Sequence, residues 1–190
     1  MPILFPIPSR CRMQRIALRS IPRFRILNVG RYPHFPHIPT SHTRFMSSQN
    51  FPIKKTDQEW LTSLNEDEFN VLRNKGTERA GTGEYNKYYP KEGHFKCRAC
   101  NNPLYSATAK FNSGCGWPAF DKCYKGSVVT EIDDTLGMRR IEIMCAQCGG
   151  HLGHVFENEG FTETNERHCV NSLSVKYEQG SVDTPEAKVV

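Results

Sequence analysis

Two cysteine pairs stand at the same spacing in this chain, Cys97-Arg98-Ala99-Cys100 and Cys145-Ala146-Gln147-Cys148. Two residues between thiolates let both sulfurs of one turn face a single centre, and two such knuckles complete a tetrahedron around a metal ion. The 44 residues between the pairs exceed the usual ribbon spacing, so a loop or extra strands must lie between them. A redox CxxC and plain buried cysteines are the competing readings. Neither pair sits in a βαβ context whose helix N-terminus would stabilise a thiolate, so a structural zinc site is the expectation.

With Cys97, Cys100, Cys145 and Cys148 so assigned, Cys115, Cys123 and Cys169 remain beyond the N-terminal tail. Cys169 lies in Glu166-Arg167-His168-Cys169-Val170-Asn171-Ser172. If this is a strand, alternation puts Cys169, Asn171, Leu173 and Val175 on one face. A guanidinium at Arg167 and an imidazole at His168 are neighbouring cations, and cations favour thiolate, the nucleophilic form. A lone cysteine is also commonly inert core. Upstream, His151 and His154 stand among Gly149, Gly150 and Gly153, where imidazoles can donate to an oxygen leaving a substrate. Structural histidines or further metal ligands are equally open there. Ser113-Gly114-Cys115-Gly116-Trp117-Pro118 joins a second thiol, flexible backbone and an aromatic plate, although Trp117 before Pro118 also fits simple packing under a turn.

The elements that must position these groups begin near Thr56. Thr56 with Glu59 and Asn65 with Glu68 fit capping boxes, so two short helices are predicted at about 57–63 and 66–74, the second ended by Gly76 in a left-handed conformation. Residues 80–89 read as a loop laid over the domain. From Phe95 onward short β segments dominate: Ser127–Asp133, Met138–Met144, Leu152–Phe156 and Val170–Tyr177, parted by turn residues such as Leu136-Gly137. The expected fold is mainly β, two antiparallel sheets with short N-terminal helices, stapled by a four-cysteine zinc site.

The net charge of +5 divides unevenly. Residues 1–50 carry eight arginines (the last is Arg44), no lysine and no acid, whereas residues 51–190 carry 17 basic and 20 acidic groups. The body therefore offers no cationic surface for nucleic acid. Seven prolines between Pro2 and Pro39 resist folding of the first stretch. Arginine without acid is the composition of a mitochondrial presequence, so the expected organisation is a targeting segment, 1–50, before a domain, 51–190. Met46 offers a second start for a cytosolic form. No run of eighteen apolar residues exists, so a transmembrane helix is not expected.

Taken together, the CxxC pairs, Ser113 to Phe120, Arg140-Ile-Glu-Ile143, His151-Leu-Gly-His-Val-Phe156 and Arg167-His-Cys-Val-Asn-Ser172 resemble the methionine-R-sulfoxide reductase family, from about Phe69 to Tyr177. The resemblance implies two antiparallel sheets and zinc on the four CxxC cysteines. It implies that Cys169 attacks the sulfoxide sulfur of oxidised proteins and becomes a sulfenic acid. Cys115 matches the resolving thiol that closes a disulfide reduced by thioredoxin. Trp117 matches the residue packing the substrate methyl, His151, His154 and Asn171 match polar residues around the sulfoxide oxygen, and Arg167 matches a residue that helps hold the thiolate. His168 stands where Tyr or Phe is frequent, Ala119 replaces a usual serine, and Asn158 lies near where many members carry an acid. Cys123 has no counterpart. A monomer acting on protein substrates is expected. A non-catalytic zinc module leaves Cys169, Cys115 and the histidines without a purpose, and a general disulfide oxidoreductase needs a CxxC that the metal already uses.

Overall fold

The computed structural model describes residues 50–189 apart from 135 and 136. The expected targeting segment, Met46 included, and the Leu136 turn therefore fall outside the described residues. Both capping boxes form. Thr56 caps α1 (Asp57–Leu61) and Asn65 caps α2 (Glu66–Asn74), each side chain accepting from the third residue's N–H while that residue's glutamate accepts from the cap N–H. The first helix ends two residues early, at Leu61 rather than 63. The second ends differently too: Lys75, not Gly76, takes the left-handed conformation, with φ 57°. Its ammonium, at the end of α2, then reaches Glu142 Oε2 at 2.6 Å. Gly76 instead sits in a tight place, where a Cβ would stand 2.7 Å from Asn70 Nδ2 and 3.0 Å from its carbonyl oxygen.

Eleven strands follow among the described residues. The sheet that carries the site has six of them: β3 (Lys110–Phe111), β4 (Ala119–Phe120), β6 (Val128–Asp133), β7 (Arg140–Cys145), β8 (His151–Glu157) and β9 (Glu166–Val170). Their order is β3-β4-β9-β8-β7-β6, antiparallel throughout. A second antiparallel sheet joins β1 (His94–Cys97), β2 (Pro103–Ser106) and β10 (Val175–Glu178) in the order β10-β1-β2. A small ribbon pairs β5 (Cys123–Tyr124) with β11 (Glu186–Ala187). The expected pair of antiparallel sheets is thus present, with this ribbon added.

The sheets meet through aromatic rings. Phe95 and Tyr105 of the small sheet pack on Phe120 of the large one, at centroid distances of 5.1 Å edge-on and 4.2 Å stacked. All three are fully buried, as are Leu104, Ile143 and Leu152, and burial of such side chains is the main stabilising term.

The single strand expected over Val170–Tyr177 is broken. β9 stops at Val170, Ser172–Ser174 make one 3-10 turn, and β10 starts at Val175 in the other sheet. The break has a tertiary cause: the Glu78 carboxylate accepts from the N–H groups of Ser172 at 2.8 Å and Leu173 at 3.1 Å. These donors are thereby lost to any ladder. The 80–89 loop packs over the same turn, where a Cβ on Gly83 would meet Ser172 Oγ at 2.2 Å and where Tyr85 N–H donates to that oxygen.

Candidate active site and metal centre

Strand β1 runs into the first CxxC knuckle and β7 into the second. Both close the same way. A left-handed residue follows the second cysteine, Asn101 at φ 64° and Gly149 at φ 68°, and its N–H returns to the first cysteine's carbonyl at 2.9 Å. The four sulfurs lie within 4.8 Å of one another, with Cys97 to Cys148 at 3.7 Å and Cys100 to Cys145 at 3.6 Å. A tetrahedron with metal–sulfur bonds of ~2.3 Å separates its sulfurs by about 3.8 Å. The donor set therefore fits one tetrahedral metal ion.

The second centre is on the large sheet. Register places Cys169 opposite His154 of β8 on one side and Ala119 of β4 on the other. Cys115 lies in the β3–β4 connection between Gly114 (φ 73°) and Gly116 (φ 96°), and its sulfur stands 3.7 Å from that of Cys169. A pocket of about 130 Å³ opens beside the pair, lined by Cys169, Trp117, His154 and Asn171 together with Thr77, Arg140, Gly153 and Phe156. Cys169 faces this pocket and Cys115 is not among its lining residues.

The two thiols lie within hydrogen-bonding reach of one another. Cys115 is pushed down to about 5, first by the hydrogen bond from Cys169, against burial, with Ser113, the Trp117 backbone and Arg167 adding. Cys169 is pushed well above the ordinary thiol range by the same hydrogen bond and by burial, with Arg167 pulling the other way.

Of the two neighbouring cations, Arg167 pulls Cys169 toward the thiolate as expected, whereas His168 faces away. Arg167, two residues from Cys169, is gripped by both oxygens of Glu159 at 2.5 and 2.7 Å and lies over the Phe156 ring at 4.3 Å. Glu159 thus supplies the acid that Asn158 lacks. His168 points the opposite way, as alternation demands. It is fully buried, with Nε2 2.9 Å from Glu166 and Nδ1 3.2 Å from the Tyr105 hydroxyl.

His151 and His154 are three residues apart and so should face opposite sides of a regular strand. A register shift between Ile143 and Met144 brings their rings within 5.5 Å. His151 Nδ1 pairs with buried Glu142 at 2.7 Å, and His154 Nε2 with Asp133 at 2.9 Å. Burial holds His154 below the ordinary imidazole range, against the pull of Asp133. His154 lines the pocket, whereas His151 lies behind it. Asn171 is fixed on both ends, its amide donating to Leu152 O at 3.0 Å and its Oδ1 accepting from Glu78 N–H at 3.1 Å. Trp117 Nε1 donates to the Glu78 carbonyl at 3.1 Å. Cys123 belongs to the core: burial pushes it up to about 11, and its sulfur donates to Ala187 O at 3.6 Å.

Sequence reasoning passed over Glu78, Asp133, Arg140, Glu142 and Glu159 as site residues. Four of them are charged residues at strand ends or in loops, and Glu142 lies inside β7. The one local signal was the opposite charge of Asp133 and Arg140 on either side of a short turn.

A pocket-lining thiol with a second thiol 3.7 Å from it, on an antiparallel β fold that gathers four further cysteines, is the arrangement of a thiol oxidoreductase. Residues 64–179 match the SelR domain. The chain is 54% identical over 129 residues to peptide methionine sulfoxide reductase B5 of Oryza sativa subsp. japonica, covering 67% of this chain and 93% of that protein. It is 56% identical over 126 residues to peptide methionine sulfoxide reductase B3 of Arabidopsis thaliana, covering 66% and 70%. It is also 52% identical over 133 residues to the chloroplastic peptide methionine sulfoxide reductase B3 of Oryza sativa subsp. japonica, of which it spans 57%. The chain belongs to the SelR-domain family of class B peptide methionine sulfoxide reductases, which are oxidoreductases.

Proposed function

We propose that this protein reduces methionine-R-sulfoxide in proteins with Cys169 as the attacking sulfur. The observation that carries the reading is that Cys169 lines the pocket while its sulfur stands 3.7 Å from that of Cys115. As the Cys169 sulfur attacks the sulfoxide sulfur, Cys115 takes the Cys169 proton and the sulfoxide oxygen takes one from the medium. The S–O bond then passes to Cys169, leaving methionine and a Cys169 sulfenic acid. The Cys115 thiol next attacks that sulfenic sulfur, a Cys115–Cys169 disulfide forms and water departs. A reduced dithiol of the thioredoxin class returns both cysteines to thiols and leaves as its own disulfide.

Trp117 forms a wall for the substrate's methyl group, and Asn171 and His154 bound the space for the oxygen, with His151 supporting His154 from behind. Arg167, held by Glu159, lowers the cost of negative charge on the thiol pair. Zinc on Cys97, Cys100, Cys145 and Cys148 ties β1 to β7 and supplies folding energy, without taking part in the redox step. The protein works as a monomer, and residues 1–50 direct it to mitochondria.

Separate epimers of a methionine sulfoxide peptide, supplied with reduced thioredoxin, test the reading. Turnover of the R epimer alone is expected. Equal turnover of both, or turnover of the S epimer only, overturns it.

A further inference from the structure

Two pocket residues, Trp117 and Asn171, come from different parts of the chain, and one residue outside the sheets holds both. Glu78, in the segment that follows α2, donates its N–H to Asn171 Oδ1 at 3.1 Å, and its carbonyl accepts from Trp117 Nε1 at 3.1 Å. An indole has a single N–H, so this bond sets its tilt. Three residues on, the Gly81 N–H donates to the Gly116 carbonyl at 2.7 Å, and a Cβ on Gly116 would stand 3.0 Å from that of Ala80. Residues 78–81 thus brace both the indole and the backbone just before it. The Glu78 carboxylate ties this brace to the turn that follows Cys169, accepting from the Ser172 N–H at 2.8 Å and the Leu173 N–H at 3.1 Å. Asn171 stands at the cap of that turn and makes no side-chain cap bond. The carboxylate caps the turn in its place, with charge-assisted bonds stronger than those of a neutral acceptor.

We propose that Glu78 is a positioning residue whose carboxylate fixes the walls of the substrate pocket and, through Trp117, sets its selectivity for a methyl group on the sulfoxide sulfur; this rests on the reading of the pocket as a methionine sulfoxide site. The methyl group is unchanged by the reaction, so its wall favours substrate and transition state alike and acts on half-saturation rather than on the limiting rate. A firm wall rejects one extra methylene by roughly ten- to two-hundredfold. Without the carboxylate, residues 78–81 lose their tie to the turn, and the indole yields to a larger alkyl group.

The test is single-turnover reduction by the full chain of two N-acetylated, amidated substrates, methionine-R-sulfoxide and ethionine-R-sulfoxide, with half-saturating concentration and limiting rate read separately. The parent is expected to prefer the methyl compound. Glu78→Ala should raise half-saturation for methionine-R-sulfoxide roughly tenfold, narrow the preference severalfold and keep the limiting rate close to the parent's. Glu78→Gln keeps one acceptor oxygen and turns an amide N–H toward the other donor, so it should fall between. Being isosteric, it carries the same test if Glu78→Ala fails to fold. A merely structural Glu78 would lower the limiting rate by the same factor for both substrates and leave half-saturation and the preference at parental values, and that result overturns the proposal. A parent that treats the two sulfoxides alike overturns it too. If the parent reduces neither, the functional reading itself falls, a result distinct from failure at Glu78.

Discussion

The sulfurs of Cys115 and Cys169 stand 3.7 Å apart, so the chemistry of each depends on the other. Cys169→Ser should abolish the first turnover, because the pocket then has no thiol to attack with. Cys115→Ser should leave one turnover per chain and stop recycling. Cys123→Ser should recycle normally, since that thiol is occupied with Ala187 O in the core. Single-turnover and thioredoxin-coupled assays on the three variants separate these outcomes; recycling by Cys115→Ser at the parent rate sinks the assignment. The pH dependence has a definite sign. Cys115 is pushed down to about 5, so its thiolate fraction grows as pH rises through about 5 and is lost below it. Alkylation mapped by mass spectrometry should therefore label Cys115 with a midpoint near that value, with Cys123 unlabelled across the neutral range. In Cys169→Ala the midpoint should move up, because the largest cause of the shift has been removed.

At the scale of elements, the site depends on how closely β8 and β9 approach. Gly153 lies against β9 so tightly that a Cβ would sit 1.9 Å from the Cys169 carbonyl oxygen. Gly153→Ala must push apart the two strands that carry His154 and Cys169, at a cost of ~1–3 kcal/mol or more. Lowered melting temperature with a larger loss in kcat is expected. A variant of parental stability and activity would show that the strands separate freely. The turn after Cys169 is the second dependency. Glu78, 94 residues earlier in the chain, caps it through the Ser172 N–H and supports Asn171 and Trp117 as well.

For the molecule as a whole, the four-sulfur cluster joins the small sheet to the large one through β1 and β7. Losing one ligand leaves three sulfurs crowded, two of them buried, without a metal to compensate them. Cys145→Ser should lose its zinc, measured by elemental analysis, and melt roughly 10 °C lower or more. A folded, active parent with no bound metal would refute the staple. The arginine-rich segment is tested separately: a chain beginning at Met46 should keep full activity and fail to enter mitochondria in an import assay. Import equal to that of the full chain removes the targeting role.

The sequence by itself determined what depends on short range. Capping boxes at Thr56 and Asn65, short β segments parted by turn residues, and two CxxC turns are each local patterns whose physics is complete within a few residues. The thiols, histidines and Trp117 could be named for the same reason, since the side-chain type states the chemistry available. Tertiary structure decided everything that needs two distant segments at once. It brought the two thiols to 3.7 Å of one another, a contact that is not written in either segment. It gave His168 its partner Glu166 in the core and brought Glu159 to Arg167. It broke the strand after Val170 by delivering the Glu78 carboxylate, and set His151 beside His154 through a register shift in β7 and β8. It also aimed Arg140 into the pocket, where a strand-end arginine became part of the wall. In each case the deciding interaction is electrostatic or steric contact across the fold, which spacing along the chain does not encode.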